Sequence, residues 1–217
     1  MTFEGFPERA LVFYEGLAAD NSKAYWTDSK EVYDRCVAEP FRELLAELEP
    51  TFGPGKLFRP YRDVRFSKDK TPYKTQAAAA VGGGLYVALS AEGLFVGGGM
   101  YAMAGDQVQR LRAGVADDLT GSRLAELLTV LGRQGWDLAG EQLVRVPKPW
   151  DAGHPRADLL RHKSLVASQA WEAAPWLHTR EALDRLAGAW LQLGPLLAWL
   201  GQRVGPTRAI APSRQRS

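Results

Sequence analysis

A chain of 217 residues, 46% hydrophobic and 24% charged, has the composition of a folded protein able to bury a sizeable core, most simply as one domain. Its apolar runs stop short of the ~18 residues a membrane span needs, and no basic N-terminal region leads into an apolar run as in a secretory signal. A lone Cys36 excludes an internal disulfide framework and fits a reducing, cytoplasmic compartment, while the net charge of only +2 argues against a uniformly basic nucleic-acid binder.

Ala10, Phe13, Tyr14 and Leu17 recur at helical spacing and predict a first helix, broken by Asp20-Asn21-Ser22. A second helix is expected from Thr27 or Asp28, where Glu31 completes a capping box with Asp28. Its stripe runs Tyr33, Cys36, Val37, Phe41, Leu44, Leu45 and Leu48, with Pro40 splitting it near Glu39 and Pro50 ending it. Strand-like runs follow at Phe58–Phe66, Thr75–Val81, Leu85–Ser90 and Leu94–Gly99, with Ala91-Glu92-Gly93 as a hairpin connection. Helical spacing returns at Gln107–Val115 and Ser122–Leu131, then a strand at Gln142–Val146 and a short helix over 155–163 that Pro155 starts. The last long helix is expected over Arg180–Leu200, with Pro195 as a kink.

Helices at both ends around an antiparallel meander make the predicted class α+β, a central antiparallel sheet flanked by N- and C-terminal helices. The predicted division is a single domain over residues 1–202 and a basic disordered tail over 203–217, which holds four arginines and no acid.

The most informative stretch lies between Lys56 and Lys74. Seven basic residues (Lys56, Arg59, Arg62, Arg65, Lys68, Lys70, Lys74) stand there against Asp63 and Asp69, net +5, so the rest of the chain sums to −3. Such a local field concentrates anionic partners. If Leu57–Phe66 were extended, Arg62 would share a face with Phe58, Val64 and Phe66 and need a distant carboxylate or a bound anion. Thr71-Pro72 forces a turn that presents Lys68, Lys70, Tyr73 and Lys74 together, and Tyr61 and Tyr73 add stacking surfaces. Basic runs are also commonly solvated faces with ion pairs of little energetic weight. The aromatic interleaving and the Thr-Pro turn favour a site.

The string Tyr61-Arg-Asp-Val-Arg-Phe-Ser-Lys-Asp-Lys-Thr-Pro-Tyr-Lys-Thr75 resembles the signature of a widespread bacterial and fungal family, the domain of unknown function 2461. Asn21 through Tyr33 resembles its early block, with Tyr25 at the family's tryptophan and Trp26 at its phenylalanine. Phe95-Val-Gly-Gly-Gly-Met-Tyr101 resembles its glycine-rich strand, and Arg145-Val-Pro-Lys with His154-Pro, Asp158-Leu-Leu-Arg161 and Lys163 its late block. The resemblance implies no established activity. Ser29, Ala88 and Met103 depart from residues common in the family, two of them at positions where histidine is frequent, which weakens any histidine-centred mechanism.

Trp26, Lys30 and Tyr33 share one helix face, and Lys30 is expected to reach the same anion as Arg62 and Arg65. His154 reads as a loop histidine beside capping neighbours, and Asp151, His154 and Asp158 lack the spacing of a recognised ligand set. No metal or cofactor is expected, since zinc, dinucleotide and Walker-type motifs are absent. Asp63 or Asp69 is placed to serve as a base, yet no paired nucleophile and base is evident, so whether the protein is an enzyme stays open. The leading expectation is binding of a phosphate- or carboxylate-bearing small molecule by Arg59, Arg62, Arg65, Lys68, Tyr73 and Lys74, assisted by Lys30 and Asp63. The alternatives are a nucleic-acid-binding module using the same cations and a structural, ion-pair-rich strand in an interaction protein.

Overall fold

The computed structural model describes residues 2–65 and 67–208. In chain order the elements are α1 (Glu8–Ala19), α2 (Lys23–Tyr33), a π-helical turn (Asp34–Ala38), α3 (Glu39–Phe52), β1 (Gly55–Leu57), β2 (Gln76–Val81), β3 (Leu85–Ser90) and β4 (Gly93–Met100). There follow α4 (Gly105–Ala116), α5 (Asp118–Arg133), β5 (Asp137–Ala139), α6 (Ala157–Leu160), β6 (Leu165–Glu172), a 3-10 turn (Pro175–His178) and α7 (Glu181–Arg203). The strands form a six-stranded antiparallel sheet in the order β1-β2-β3-β4-β6-β5, so the class is α+β as predicted. Contacts within the chain group into two compact units, one of residues 2–97 with 168–192 and one of 98–167 with 193–208.

In the first unit, Gly55–Leu57 of β1 registers against Val81–Ala79 of β2, and Gln76–Val81 against Ser90–Leu85 of β3. Ala77, Ala78, Ala79 and Val81 of β2 are all buried, on both faces, which is why this strand shows no polar alternation. The core joins Phe3, Phe6 and Phe41, whose rings meet at 5.2 and 5.0 Å, to Leu44 and Leu48 of α3 and Val87 and Leu89 of β3. Arg180 secures the N-terminal segment: its Nη1 donates to the Phe3 carbonyl at 3.0 Å and its guanidinium pairs with Glu47, while Glu47 Oε1 accepts the Phe3 N–H at 2.6 Å. Gly93 at the head of β4 has φ +130°, and a Cβ there would stand 2.2 Å from the Trp171 carbonyl oxygen, so only glycine fits.

In the second unit, α4 and α5 meet at Asp117, whose carboxylate accepts the Thr120 N–H at 2.8 Å and caps α5. Arg156 closes the C-terminal end of α4 by donating to the carbonyls of Val115, Ala116 and Asp117 at 2.7–3.3 Å. Leu111 and Val115 of α4, Leu124 and Leu128 of α5, and Leu160 fill the interior.

Several expectations are corrected. The second helix begins at Lys23 rather than at Thr27 or Asp28, because the Ser22 hydroxyl accepts the Tyr25 N–H at 3.1 Å and outcompetes the Asp28 box. The π-helical turn before Pro40 absorbs the interruption predicted at Glu39, and Pro40 sits in the first turn of α3, where no N–H is needed. Pro50 does not end α3, which runs to Phe52 and stops at Gly53 with φ 86°. Residues 142–146 form no strand beyond a single bridge from Gln142 to His162, and β6 was not anticipated. At the expected tail, Val204 is buried, the Thr207 hydroxyl and the Arg208 N–H donate to Asp106, and residues 209–217 lie outside the described ones.

Candidate functional site

The stretch predicted as a strand over Phe58–Phe66 is a loop over residues 58–65, and Phe66 lies outside the described residues. Pro60 and Pro72 lack the N–H a continuing ladder requires, so pairing shrinks to one antiparallel bridge, Tyr61 with Tyr73. The Arg62 N–H donates to the Pro72 carbonyl and the Lys74 N–H to the Pro60 carbonyl, both at 2.8 Å. Those bonds close the root of an excursion whose described tip holds residues 63–65 and 67–71. Within it the carboxylates compete for backbone: Asp63 accepts the Arg65 N–H at 3.3 Å and Asp69 the Thr71 N–H at 2.9 Å. Arg62 therefore does not lie in an apolar face.

The root rests on aromatic rings of the first unit. Trp26 stacks on Tyr73 at 4.4 Å with planes 9° apart, and contacts Tyr33 at 4.9 Å and Tyr61 at 5.8 Å. Trp26, Tyr33 and Tyr73 are buried, whereas Tyr61 is 47% exposed and leaves part of its ring to solvent. Asn21 completes the clamp: its Oδ1 accepts the Tyr73 N–H at 3.0 Å and its Nδ2 donates to the Tyr73 carbonyl at 3.1 Å. An amide side chain thus stands in for a neighbouring strand. The sequence marks Asn21 as a helix breaker and as the start of the block resembling the family's early block, but neither reading assigns it this contact.

The charges resolve into pairs and remainders. Arg62 Nη1 donates to Asp69 and, at 2.5 Å, to the Thr71 hydroxyl. Its partner is thus seven residues ahead in the same loop rather than distant. Arg65 grips Asp63 with two bonds, Nε to Oδ1 at 2.9 Å and Nη2 to Oδ2 at 2.6 Å. Lys70 Nζ donates to the Val64 carbonyl at 2.9 Å. Lys30 pairs with Asp34 at the start of the π-helical turn and lies 5.8 Å from the Tyr33 ring centroid. Lys74 Nζ lies 5.5 Å from the Phe58 ring centroid. Arg59 and Lys68 are exposed, and among the described residues neither has a hydrogen bond or ion pair.

The Thr71 backbone and hydroxyl bonds, with Arg62 behind them, lower the Asp69 carboxyl to about 2. The Arg65 guanidinium likewise lowers Asp63. Both are fixed as anions, the opposite of the raised pKa a general base needs near neutrality. Burial is the main cause that raises the Tyr33 phenol, which keeps it protonated.

The geometry agrees with the motif that singled out this segment. The family model described as "Conserved hypothetical protein (DUF2461)" matches residues 9–199. The chain belongs to this family. The match covers all the candidate residues, so the clamped basic loop lies within the family's domain. No curated protein and no solved structure matches the chain. Of the predicted residues, the loop brings together Arg62, Arg65 and Asp63 through local pairs and seats Tyr73 at its root. Lys30 is engaged with Asp34, not with Arg62. Among the described residues no helix is long and apolar enough to cross a membrane, and no cluster of three or more His, Cys, Asp or Glu side chains is suited to a metal.

Proposed function

We propose that the loop over residues 59–74 binds a small molecule carrying a phosphate or carboxylate, in a cytoplasmic protein whose single cysteine is buried. The observation that carries this reading is the state of Arg62. Its side-chain hydrogen bonds involve Nη1 alone, so Nε and Nη2 have no acceptor among the described residues, and the side chain is 33% exposed. A guanidinium oriented from behind by Asp69 and Thr71, with two donors open, is preorganised for bidentate contact to an oxyanion. Arg59, Lys68 and Lys74 supply further positive charge, Arg65 and Asp63 stiffen the tip, and the exposed face of Tyr61 suits a ring on the ligand.

A thermal-melt screen against phosphate, nucleotides, sugar phosphates, polycarboxylates and short oligonucleotides tests this. A ligand at ~100 times its dissociation constant adds about 2.7 kcal/mol and moves the midpoint by several degrees. The expected result is a salt-tolerant shift with one small anion, lost in Arg62→Ala, a variant that keeps its fold. A shift only with oligonucleotides, erased between low and moderate salt, would instead establish the nucleic-acid alternative. An unfolded Arg62→Ala and no shift from any compound would leave the loop a structural ion-pair network.

A further inference from the structure

The second unit holds a buried cation with no counterion. Arg112 of α4 is 7% exposed, and among the described residues no carboxylate pairs with it. Its one hydrogen bond runs from Nε to the Leu160 carbonyl at 3.0 Å, leaving both Nη groups without a protein acceptor. The Trp150 ring lies with its centroid 6.0 Å from the guanidinium carbon. Burial without an opposite charge is strongly unfavourable, and buried arginines are normally paired.

The residue after Leu160 also leaves a donor unanswered. Leu160, which accepts from Arg112, is followed by Arg161, whose Nε is buried with no partner; its Nη2 bonds only to Asp158, itself 91% exposed. Backbone bonds place this arginine at the root of the segment that carries Trp150: the Leu143 N–H donates to the Arg161 carbonyl at 2.8 Å and the Lys163 N–H to the Glu141 carbonyl at 2.7 Å. Arg161 Nε is a buried donor left unanswered, and the Arg112 Nη groups have no acceptor among the described residues, so the Arg112 charge beneath Trp150 lacks an opposite one. A cavity of about 450 Å³ in this unit, between Arg110, Asp117, Thr120 and Arg203, lacks this property, because Arg110 is satisfied by Asp106 and the carbonyls of Val204 and Pro206.

We propose that Arg112, with Trp150 over it and Arg161 following the Leu160 it bonds to, forms a second anion site that takes a small oxyanion, phosphate or carboxylate. The site is separate from the basic loop in sequence and shares none of its residues. Arg112 supplies the charge and two donors, Arg161 adds a donor, and the indole screens the ion from water. Trp150 is half-buried, so its segment is the way in.

The test uses the full chain, titrated with inorganic phosphate or with acetate against chloride at constant ionic strength, reading the thermal midpoint. The background carries Arg62→Ala, so that any response of the basic loop is removed beforehand. The midpoint is expected to rise by a few degrees at saturating anion. Arg112→Met is expected to abolish the rise, and in chloride to melt no lower than its parent, because an apolar side chain of similar length removes an unpaired charge. Should Arg112→Met fail to fold, Trp150→Ala decides, with the anion's dissociation constant expected to weaken at least several-fold. No response to either anion, a response that survives Arg112→Met, or unchanged affinity in Trp150→Ala would each overturn the proposal. Loss of the loop response in Arg62→Ala bears only on the first site.

Discussion

Trp26 is the residue on which the basic loop depends, and Trp26→Ala measures that dependence. The ring is 5% exposed, stacks on Tyr73 at the loop root and touches Phe13, Tyr33 and Tyr61. A buried indole hides about 150–250 Å² of surface, which at ~25 cal/mol per Å² gives about 4–6 kcal/mol. The retained Cβ and a compact unfolded chain reduce that, so about 4 kcal/mol is expected, within the usual 3–5 for removing a buried large aromatic. Urea denaturation should show this loss. The loop supplies a second reading, because its lysines and arginines are trypsin sites: with the Tyr73 stack gone, cleavage between Lys56 and Lys74 should accelerate well before global unfolding. Trp26→Phe should restore much of both properties. A loss below about 1 kcal/mol, or an unchanged cleavage pattern, would refute the claim that the stack holds the loop.

Asn21→Ala should destabilise the first unit by about 1–3 kcal/mol, since both its bonds go to the backbone of buried Tyr73; hydrogen exchange at the Tyr73 amide reports it. Gly93→Ala should cost about 1–3 kcal/mol or more through its positive φ and the Trp171 carbonyl, and a melt within 1 °C of the parent would contradict that geometry. Asp69, Asp63, Glu47 and Asp106 all have lowered folded pKa values, so their stabilisation is complete above the ordinary carboxylate range near 4 and fades as pH falls. For Asp69 the fading runs down to about 2, and Asp69→Asn should flatten the acid limb of stability against pH. His162, lowered chiefly by burial from 6.5, folds neutral with Nδ1 donating to the Ser164 carbonyl at 2.9 Å. It favours the folded state above about 6.5 and less as pH falls below that value, and His162→Gln should remove that slope between pH 7 and 5.

Much of the helical frame was legible because its signal is local. Ala10, Phe13, Tyr14 and Leu17 repeat every three to four residues and are buried in α1, and β3 matches its predicted span of Leu85–Ser90. Errors arose where one local device overruled another. The Ser22 cap preceded the Asp28 box, and the π-helical turn let the helical run pass Pro40. Alternation over Leu57–Phe66 suggested a strand, but two prolines and two aspartates bonded to nearby N–H groups gave a loop.

By itself the sequence determined the α+β class, the family and the place where positive charge gathers, since all three reside in residue order and composition. Which charges remain available was decided only by tertiary structure. Arg62 and Arg65 meet aspartates of their own loop, Lys30 turns to Asp34, and Asn21 reaches a residue 52 positions away. Arg112 carries no signal in sequence beyond its place in the helix predicted over Gln107–Val115; its burial without a counterion follows from the packing of α4 against α6 and Trp150. Charge is a property of the residue, but its partner is fixed by distances of a few ångströms that only the folded chain sets.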